Sequence, residues 1–159
     1  MTTLGVLSDT HSLLLPKELL DGLKGVDLII HAGDVCDGDI LKILKAIAPV
    51  KAVQGNMDDA SLKRKLPLKE LFEAEGVKIG VYHGHGIGRN ALANVQEQFK
   101  HDHVDLVIFG HSHQPFNEKI GKTTYFNPGS PNDAVRDPYF SYGRIELAEG
   151  RIKPSIIKI

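Results

Sequence analysis

The chain has 159 residues, of which 42% are hydrophobic and 25% are charged, and its formal net charge at pH 7 is -1. This length favours a single domain over residues 1–159, with enough chain to bury a sizeable core. The balanced charge disfavours a protein that binds long nucleic acids, because such binding requires clustered Lys and Arg.

The sequence also indicates the cellular compartment in which the protein is expected. Cys36 is the single cysteine, so an internal disulfide is excluded, as is typical of a reducing compartment. No secretory signal is recognisable near Met1, and no apolar run approaches the roughly 18 residues of a membrane span. We therefore expect a cytoplasmic protein that is not inserted in a membrane.

The first third of the chain alternates apolar runs with helical patterns. Strands are predicted over residues 4–7, 27–30 and 50–53. One helix is predicted to begin at Pro16, and a second to be capped by Asp37 or Asp39. The order β-α-β-α-β predicts parallel strands joined by crossover helices, with a site at the carboxyl ends of the strands.

The rest of the chain changes in character. Two strands are predicted around a turn at Glu75-Gly76, followed by a helix over 90–100 and a buried strand over 106–109. Four later runs separated by Gly-Lys and Glu-Gly turns predict hairpins, so the second half is expected to be mostly antiparallel and to pack against the first. The basic cluster Lys63-Arg64-Lys65 is expected in a solvated loop.

Side chains that can bind a metal ion follow five of the predicted strands. They are two carboxylates, one amide and four imidazoles, at Asp9, His11, Asp34, Asn56, His83, His111 and His113. Such a set suits Mn, Fe, Zn or Ni better than Ca. Seven ligands exceed what one tetrahedral zinc uses, which suggests a pair of ions sharing a carboxylate. The alternative is that these are ordinary polar loop residues that follow the strands by chance. That coincidence would have to occur at five successive strand ends.

The motifs of this chain, in their order and spacing, resemble those of the calcineurin-like metallophosphoesterases. The motifs are Asp9-x-His11, Gly33-Asp34, Gly55-Asn56-x-Asp58, His83 and Gly110-His111-x-His113. The short length and the segment Asn127-Pro128-Gly129-Ser130 resemble the small prokaryotic phosphodiesterase branch. The resemblance implies an α/β fold in which two packed mixed β-sheets are flanked by helices, an αββα sandwich with a parallel βαβαβ first half.

The resemblance also implies a metal centre and a reaction. Asp34 is expected to bridge two divalent transition-metal ions, with manganese favoured and Ni, Fe or Zn as alternatives. One ion is expected to take Asp9, His11, Asp34 and His113, and the other Asp34, Asn56, His83 and His111. Two such ions clamp the phosphoryl oxygens and hold a bridging hydroxide as the in-line nucleophile, so no side-chain nucleophile is required.

One position departs from the family pattern. Many relatives follow the Asn with a His that protonates the leaving group, but here the residue is Met57. His85 is the nearest replacement by sequence, and a role for His85 in orienting the substrate or a ligand remains open. Asp58 is expected to orient the amide of Asn56, with a turn or a helix cap as the alternative.

Three further residues near the motifs have two interpretations each. His31 is favoured as a hydrogen-bonded core residue rather than a ligand. Cys36 is favoured as a small buried residue rather than a group near the metals. Arg136 is favoured as a solvated loop residue, with a phosphate clamp as the alternative, since arginine pairs well with phosphate.

The function favoured by the sequence is therefore hydrolysis of a small phosphodiester. A catalytically silent scaffold of the same fold, like the retromer subunit that resembles this family, is the alternative from another class. Such a scaffold can lose ligands freely, whereas all seven positions here hold competent residues. A phosphomonoesterase or a nuclease remains open, because ligands alone do not distinguish a diester from a monoester. Whether the protein has a protein partner is left open by the sequence.

Overall fold

The structure, a computed structural model, describes residues 1–11, 14–133 and 139–159. Arg136 therefore lies outside the described residues. The elements in chain order are β1 (Thr2–Leu7), α1 (Lys17–Gly22), β2 (Leu28–His31), α2 (Gly38–Lys45), β3 (Val50–Ala52), α3 (Ala60–Lys65), β4 (Lys69–Ala74), β5 (Val77–Tyr82), α4 (Ala91–Phe99), β6 (Leu106–Ile108), β7 (Phe116–Ile120), β8 (Thr123–Asn127), β9 (Ser141–Ala148) and β10 (Arg151–Lys158).

The first five-stranded sheet has the order β10-β9-β1-β2-β3. Strands β1, β2 and β3 run parallel, which confirms the predicted βαβαβ first half. The hairpin of β9 and β10 extends this sheet, because β9 pairs antiparallel with β1. Helix α2 begins where predicted, with the Asp37 carboxylate accepting a hydrogen bond from the amide of Asp39, and it buries Ile40 and Leu44.

The second five-stranded sheet has the order β4-β5-β6-β8-β7. Antiparallel hairpins form its two edges, whereas its centre, β5, β6 and β8, is parallel. Both sheets are therefore mixed. The carboxyl ends of β5 and β6 fall at one edge of this sheet, as those of β1, β2 and β3 do in the other.

The main core lies between the two sheets. It includes Val6 and Ile30 of the first sheet and Ile79, Ile108 and Phe126 of the second, all of them at most 1% exposed. Separate apolar clusters lie beneath α1 and α2 on one side and beneath α4 on the other. The expected αββα sandwich is confirmed.

Helix α3 contradicts one expectation. The basic cluster at residues 63–65 was predicted to lie in a loop, and this was wrong, because it forms the last turn of a helix. The Asp59 carboxylate caps the first turn by accepting from the amide of Leu62, and the Leu62 side chain is buried. Most residues of this helix are strong helix formers, namely Ala, Leu, Lys and Arg. One cap and one buried leucine are therefore enough to stabilise this short helix.

None of the helices in the described part of the chain is both long and apolar enough to cross a membrane.

Candidate metal centre

Hydrogen bonds between strand ends bring the loops of the two sheets together. The amide of Asp9 donates to the carbonyl of Gly33 at 3.0 Å, and the amide of Gly110 donates to the carbonyl of His83 at 2.9 Å. The amide of His111 donates across the sheets to Oδ2 of Asp9 at 3.1 Å. The loops after β1, β2, β5 and β6 therefore form one connected platform.

The backbone of this platform is strained at four of the predicted ligands. Asp9, Asp34, His111 and His113 have φ values of 58°, 52°, 69° and 59°, in the left-handed region that residues with a Cβ seldom occupy. Each such residue costs about 1–3 kcal/mol, and such strain clusters at functional sites. The fold therefore orients these four side chains at the expense of local stability.

Two glycines make room for the carboxylates. A Cβ added at Gly55 would lie 2.1 Å from Oδ1 of Asp34, and one at Gly110 would lie 1.8 Å from Oγ of Ser8 and 2.7 Å from Oδ2 of Asp9. Both contacts are far inside van der Waals distance. This explains why glycine directly precedes Asn56 and His111.

The first group of candidate ligands consists of Asp9, His11 and His113. Their ligand atoms all lie within 4.8 Å of one another. Nε2 of His113 lies 3.3 Å from Oδ1 of Asp9 and 3.2 Å from Nε2 of His11. Asp9 is fully buried, and among the described residues its Oδ1 has no hydrogen-bond partner. An anionic oxygen and two imidazole nitrogens thus point at one small volume.

The second group consists of Asp34, His83 and His111, whose ligand atoms also lie within 4.8 Å of one another. Oδ2 of Asp34 lies 3.1 Å from Nε2 of His83, and its Oδ1 accepts from the amide of Met57 at 2.8 Å. Nδ1 of His111 lies 3.1 Å from Oδ1 of Asn56. The structure therefore brings all seven predicted ligands into two adjacent sets.

His83 provides the test of whether a cation fits. Its Nδ1 lies 2.8 Å from the carbonyl of Ala32, so Nδ1–H donates and Nε2 of the neutral ring is a bare acceptor. That Nε2 faces Oδ2 of Asp34 at 3.1 Å and Oδ1 of Asp9 at 3.8 Å, and it has no hydrogen-bond partner among the described residues. Three acceptors that converge in a buried space repel one another unless a proton or a cation lies between them. The residues therefore fit a divalent cation.

The protonation of the ligands follows from the same contacts. Burial opposes protonation of His83, but the carboxylates of Asp34 and Asp9 outweigh it and raise the pKa of this ring. Burial favours the neutral form of Asp34, yet the contact with His83 outweighs it and holds the pKa of Asp34 below its ordinary value. The contact with Asp9 raises the pKa of His113, whereas burial lowers that of His111. Asp34 is thus ionised at neutral pH, as a metal ligand must be.

Comparison with known proteins identifies the family. Residues 2–150 match the model of the calcineurin-like phosphoesterase superfamily domain. The chain belongs to that superfamily. A probable metallophosphoesterase of Methanocaldococcus jannaschii is 40% identical over 161 residues, which cover 98% of this chain and 81% of the relative. A protein of the same organism named as a phosphodiesterase is 28% identical over 141 residues, covering 79% and 82%.

Solved structures agree on the fold. Wild-type Vps29 from Entamoeba histolytica, crystallised in complex with zinc, superposes with a TM-score of 0.78 at 26% identity, covering 99% of each chain. The expected resemblance to calcineurin-like metallophosphoesterases is confirmed, and the protein is a metal-dependent phosphoesterase.

His31 forms hydrogen bonds with two of the loops that carry the candidate ligands of this phosphoesterase. The ring is fully buried, its Nδ1 accepts from the amide of Gly33 at 3.2 Å, and its Nε2 lies 2.8 Å from Oγ1 of Thr10. Oγ1 of Thr10 donates in turn to the carbonyl of Val35 at 3.2 Å. Burial lowers the pKa of His31 to about 4. A neutral ring therefore connects the loop after β1 to the loop after β2.

Asp58 has a structural position in the phosphoesterase. It is 3% exposed, and its two oxygens accept from the amides of Cys36 at 2.8 Å and Gly55 at 2.7 Å. Its described hydrogen bonds go to these backbone amides and not to the side chain of Asn56, and the helix cap is the neighbouring Asp59. Asp58 thus fixes the backbone on both sides of the second ligand group.

His85 lies at the edge of the same group. Its ring centroid is 5.6 Å from that of His83 and 6.5 Å from that of His111, and the ring stacks on Tyr82 at 5.3 Å. Burial, followed by the charges of His83 and His111, lowers the pKa of His85. The neutral ring is therefore the main form at neutral pH, which weakens His85 as a proton donor unless a bound substrate changes its surroundings.

Two further residues contact the first ligand group: Cys36, which the sequence analysis favoured as a small buried residue rather than a group near the metals, and Asp133, which it did not name. Sγ of Cys36, which is only partly buried, lies 3.4 Å from Nδ1 of His11, and burial raises the pKa of this thiol to about 12. Oδ2 of Asp133 lies 3.4 Å from Nδ1 of His113. Neither residue belongs to a motif, and the sole signal for Asp133 is its position three residues after the conspicuous segment ending at Ser130.

Proposed function

We propose that this phosphoesterase is a dinuclear-metal phosphodiesterase acting on a small phosphodiester. The observation that carries the proposal is the adjacency of the two ligand groups, since Oδ1 of Asp9 in one lies 3.8 Å from Nε2 of His83 in the other. Two cations in neighbouring sites about 3.5–4 Å apart are the arrangement that supports phosphoryl transfer.

The proposed ligand sets use all seven residues. Asp34 would be the carboxylate shared by both ions, and its Oδ2 faces His83 of the second group at 3.1 Å while its Oδ1 accepts from the amide of Met57. The first ion would be held by Asp9, His11, Asp34 and His113, and the second by Asp34, Asn56, His83 and His111. Manganese is the favoured metal, and Ni, Fe and Zn suit the same nitrogen and oxygen donors.

Bound ions would supply positive charge to the phosphoryl oxygens and would lower the pKa of a water molecule so that it can attack phosphorus in line. The chain itself contributes rigid placement. Strained backbone holds Asp9 and Asp34, glycines at 55 and 110 leave room for them, and His83 is fixed by the Ala32 carbonyl. Such preorganisation reduces the reorganisation required in the transition state.

We propose that residues 1–159 act as one metallophosphoesterase domain, because the two sheets share a single core. The near-neutral charge argues against long nucleic acid as the substrate, and the single cysteine, Cys36, supports a cytoplasmic location.

The test is a hydrolysis assay with bis(p-nitrophenyl) phosphate. The protein is stripped with a chelator, reloaded with Mn2+, Ni2+, Zn2+ or Mg2+, and assayed for release of p-nitrophenol. We expect turnover after reloading with Mn2+ and none in the stripped protein. Absence of turnover with every metal would contradict the proposed function.

A protein-binding scaffold is the second candidate, and the similarity to Vps29 favours considering it. The scaffold interpretation predicts that the metal-loaded protein has no turnover, while Asp34→Ala leaves any partner complex intact. Turnover that depends on the metal and on Asp34 excludes it.

The role of His85 can be measured through the leaving group. If His85 protonates the leaving oxygen, His85→Asn should lower kcat by about a hundredfold for an alkyl leaving group and by less than about tenfold for p-nitrophenolate, which departs unaided. His101→Asn, an exposed histidine, is the matched control. An equal loss for both leaving groups would instead indicate that His85 orients the substrate.

A further inference from the structure

A third carboxylate lies beside the candidate metal centre. Oδ2 of Asp133 is 3.4 Å from Nδ1 of His113 and 3.9 Å from Nε2 of His11, and about a quarter of its side chain is exposed. Nε2 of His113 faces Asp9 on the opposite side of the ring. When Nδ1–H donates to Asp133, the lone pair of Nε2 is directed into the centre.

Asp133 is held in place by the same scaffold as Asp9. The amide of Asp133 donates to Oγ of Ser130 at 2.9 Å, and this hydroxyl donates to the carbonyl of Asp9 at 2.8 Å. Ser130 is 2% exposed, so the link is protected from water. The backbone of Asp133 is therefore anchored next to the first ligand group, within reach of His11 and His113.

The charge of Asp133 is not used by the proposed ligand sets. Asp9 and Asp34 are the carboxylates assigned to the ions, whereas the carboxylate of Asp133 lies beside two imidazole rings. Within the described ranges, its ion pairs are with His11 and His113, both of which are neutral when they bind a metal. Among the described residues, the negative charge of Asp133 is therefore not balanced by a lysine or an arginine, and it lies beside the centre that a phosphoryl group has to approach.

We propose that Asp133 is a specificity determinant that disfavours dianionic phosphomonoesters relative to monoanionic phosphodiesters. This inference rests on the proposed two-metal phosphoesterase. A monoester carries one more negative charge than a diester near neutral pH. It is therefore repelled more strongly by the carboxylate, while both substrates can offer the ions a pair of non-ester phosphoryl oxygens.

The test compares Asp133→Asn with Asp133→Glu, which keeps the charge, and with Glu118→Gln, which removes one charge from an exposed position on β7. Asparagine retains an oxygen that can accept from Nδ1 of His113. For each metal-loaded variant we would measure kcat/KM for bis(p-nitrophenyl) phosphate and p-nitrophenyl phosphate at saturating Mn2+. Calorimetry would give the Kd of Mn2+, of inorganic phosphate above its second ionisation, and of dimethyl phosphate.

We expect Asp133→Asn to raise the preference for the dianion, in both turnover and binding, by about three- to tenfold, with smaller shifts at high salt. The two control variants should keep the wild-type ratio. If the ratio of monoester to diester preference is unchanged in Asp133→Asn, the inference is overturned. This holds even if the affinity for Mn2+ falls, because Asp133 would then only position His113. The anion-binding ratio is independent of turnover, so inactivity of the wild-type protein contradicts the proposed function alone. Failure of the loaded protein to bind either anion overturns the inference about Asp133.

Discussion

Replacing Asp34 with asparagine is expected to reduce Mn2+-dependent hydrolysis of bis(p-nitrophenyl) phosphate about a hundredfold or more. Asparagine keeps the shape and an oxygen for the amide of Met57, but it removes the charge that faces His83 at 3.1 Å. Metal ions contribute several kcal/mol to the stabilisation of transition-state charge, and each 1.36 kcal/mol is a factor of ten in rate. Losing or displacing one ion therefore has a large effect on kcat.

The matched control is Asp37→Asn, the same change of charge three residues further along the chain. Asp37 caps helix α2 by accepting from the amide of Asp39 and is not part of either ligand group. This variant should retain wild-type turnover with little change in stability, because asparagine caps a helix about as well as aspartate does. Isothermal titration with Mn2+ should give fewer or weaker sites in Asp34→Asn only. Wild-type turnover and metal stoichiometry in Asp34→Asn would refute the bridging role of Asp34.

The convergence of the seven candidate ligands was accessible from the sequence because strand direction can be inferred from the chain order. Alternating strands and helices predict parallel strands, whose carboxyl ends share an edge. Residues such as Asp9 and Asp34 then have to meet, since they lie in the loops that follow β1 and β2. His83 and His111 likewise follow two parallel strands, β5 and β6, but the sequence analysis did not predict this direction, because it expected the second half to be mostly antiparallel.

Other features depend on contacts that the sequence does not specify. Asp133 reaches His113 only because the loop after β8 folds back through Ser130 onto Asp9. Helix α3 was missed because its three basic residues suggested a solvated loop, while its stability comes from a cap at Asp59 and one buried leucine. Isolated polar contacts of this kind leave no periodic pattern.

His31 illustrates how a buried polar residue couples the site to stability. Its two ring nitrogens are both used, one by the amide of Gly33 and one by the hydroxyl of Thr10, and both bonds are buried. An added proton would displace the bond from Gly33, since Nδ1 would become a donor. Burial holds the pKa of the folded ring at about 4, compared with 6.5 for the free side chain.

This difference predicts that the metal-free protein becomes less stable in acid through His31. Between pH 6.5 and about 4 the ring is protonated in the unfolded chain and neutral in the folded one, so the unfolded state binds more protons and the free energy of unfolding falls as the pH falls. The shift corresponds to a loss of about 3 kcal/mol once the pH is below about 4.

Urea denaturation in the presence of a chelator, repeated from pH 7 to pH 4, measures this loss. Because other groups of the site also titrate, the informative quantity is the difference from His31→Gln, whose amide can serve the same two partners without taking up a proton. We expect a flatter pH dependence in His31→Gln, whereas His101→Gln, at an exposed histidine, should follow the wild type. If His31→Gln does not fold, an NMR titration of the wild-type ring replaces it. A His31 midpoint near 6.5 would then refute the coupling, as would parallel curves for the wild type and His31→Gln.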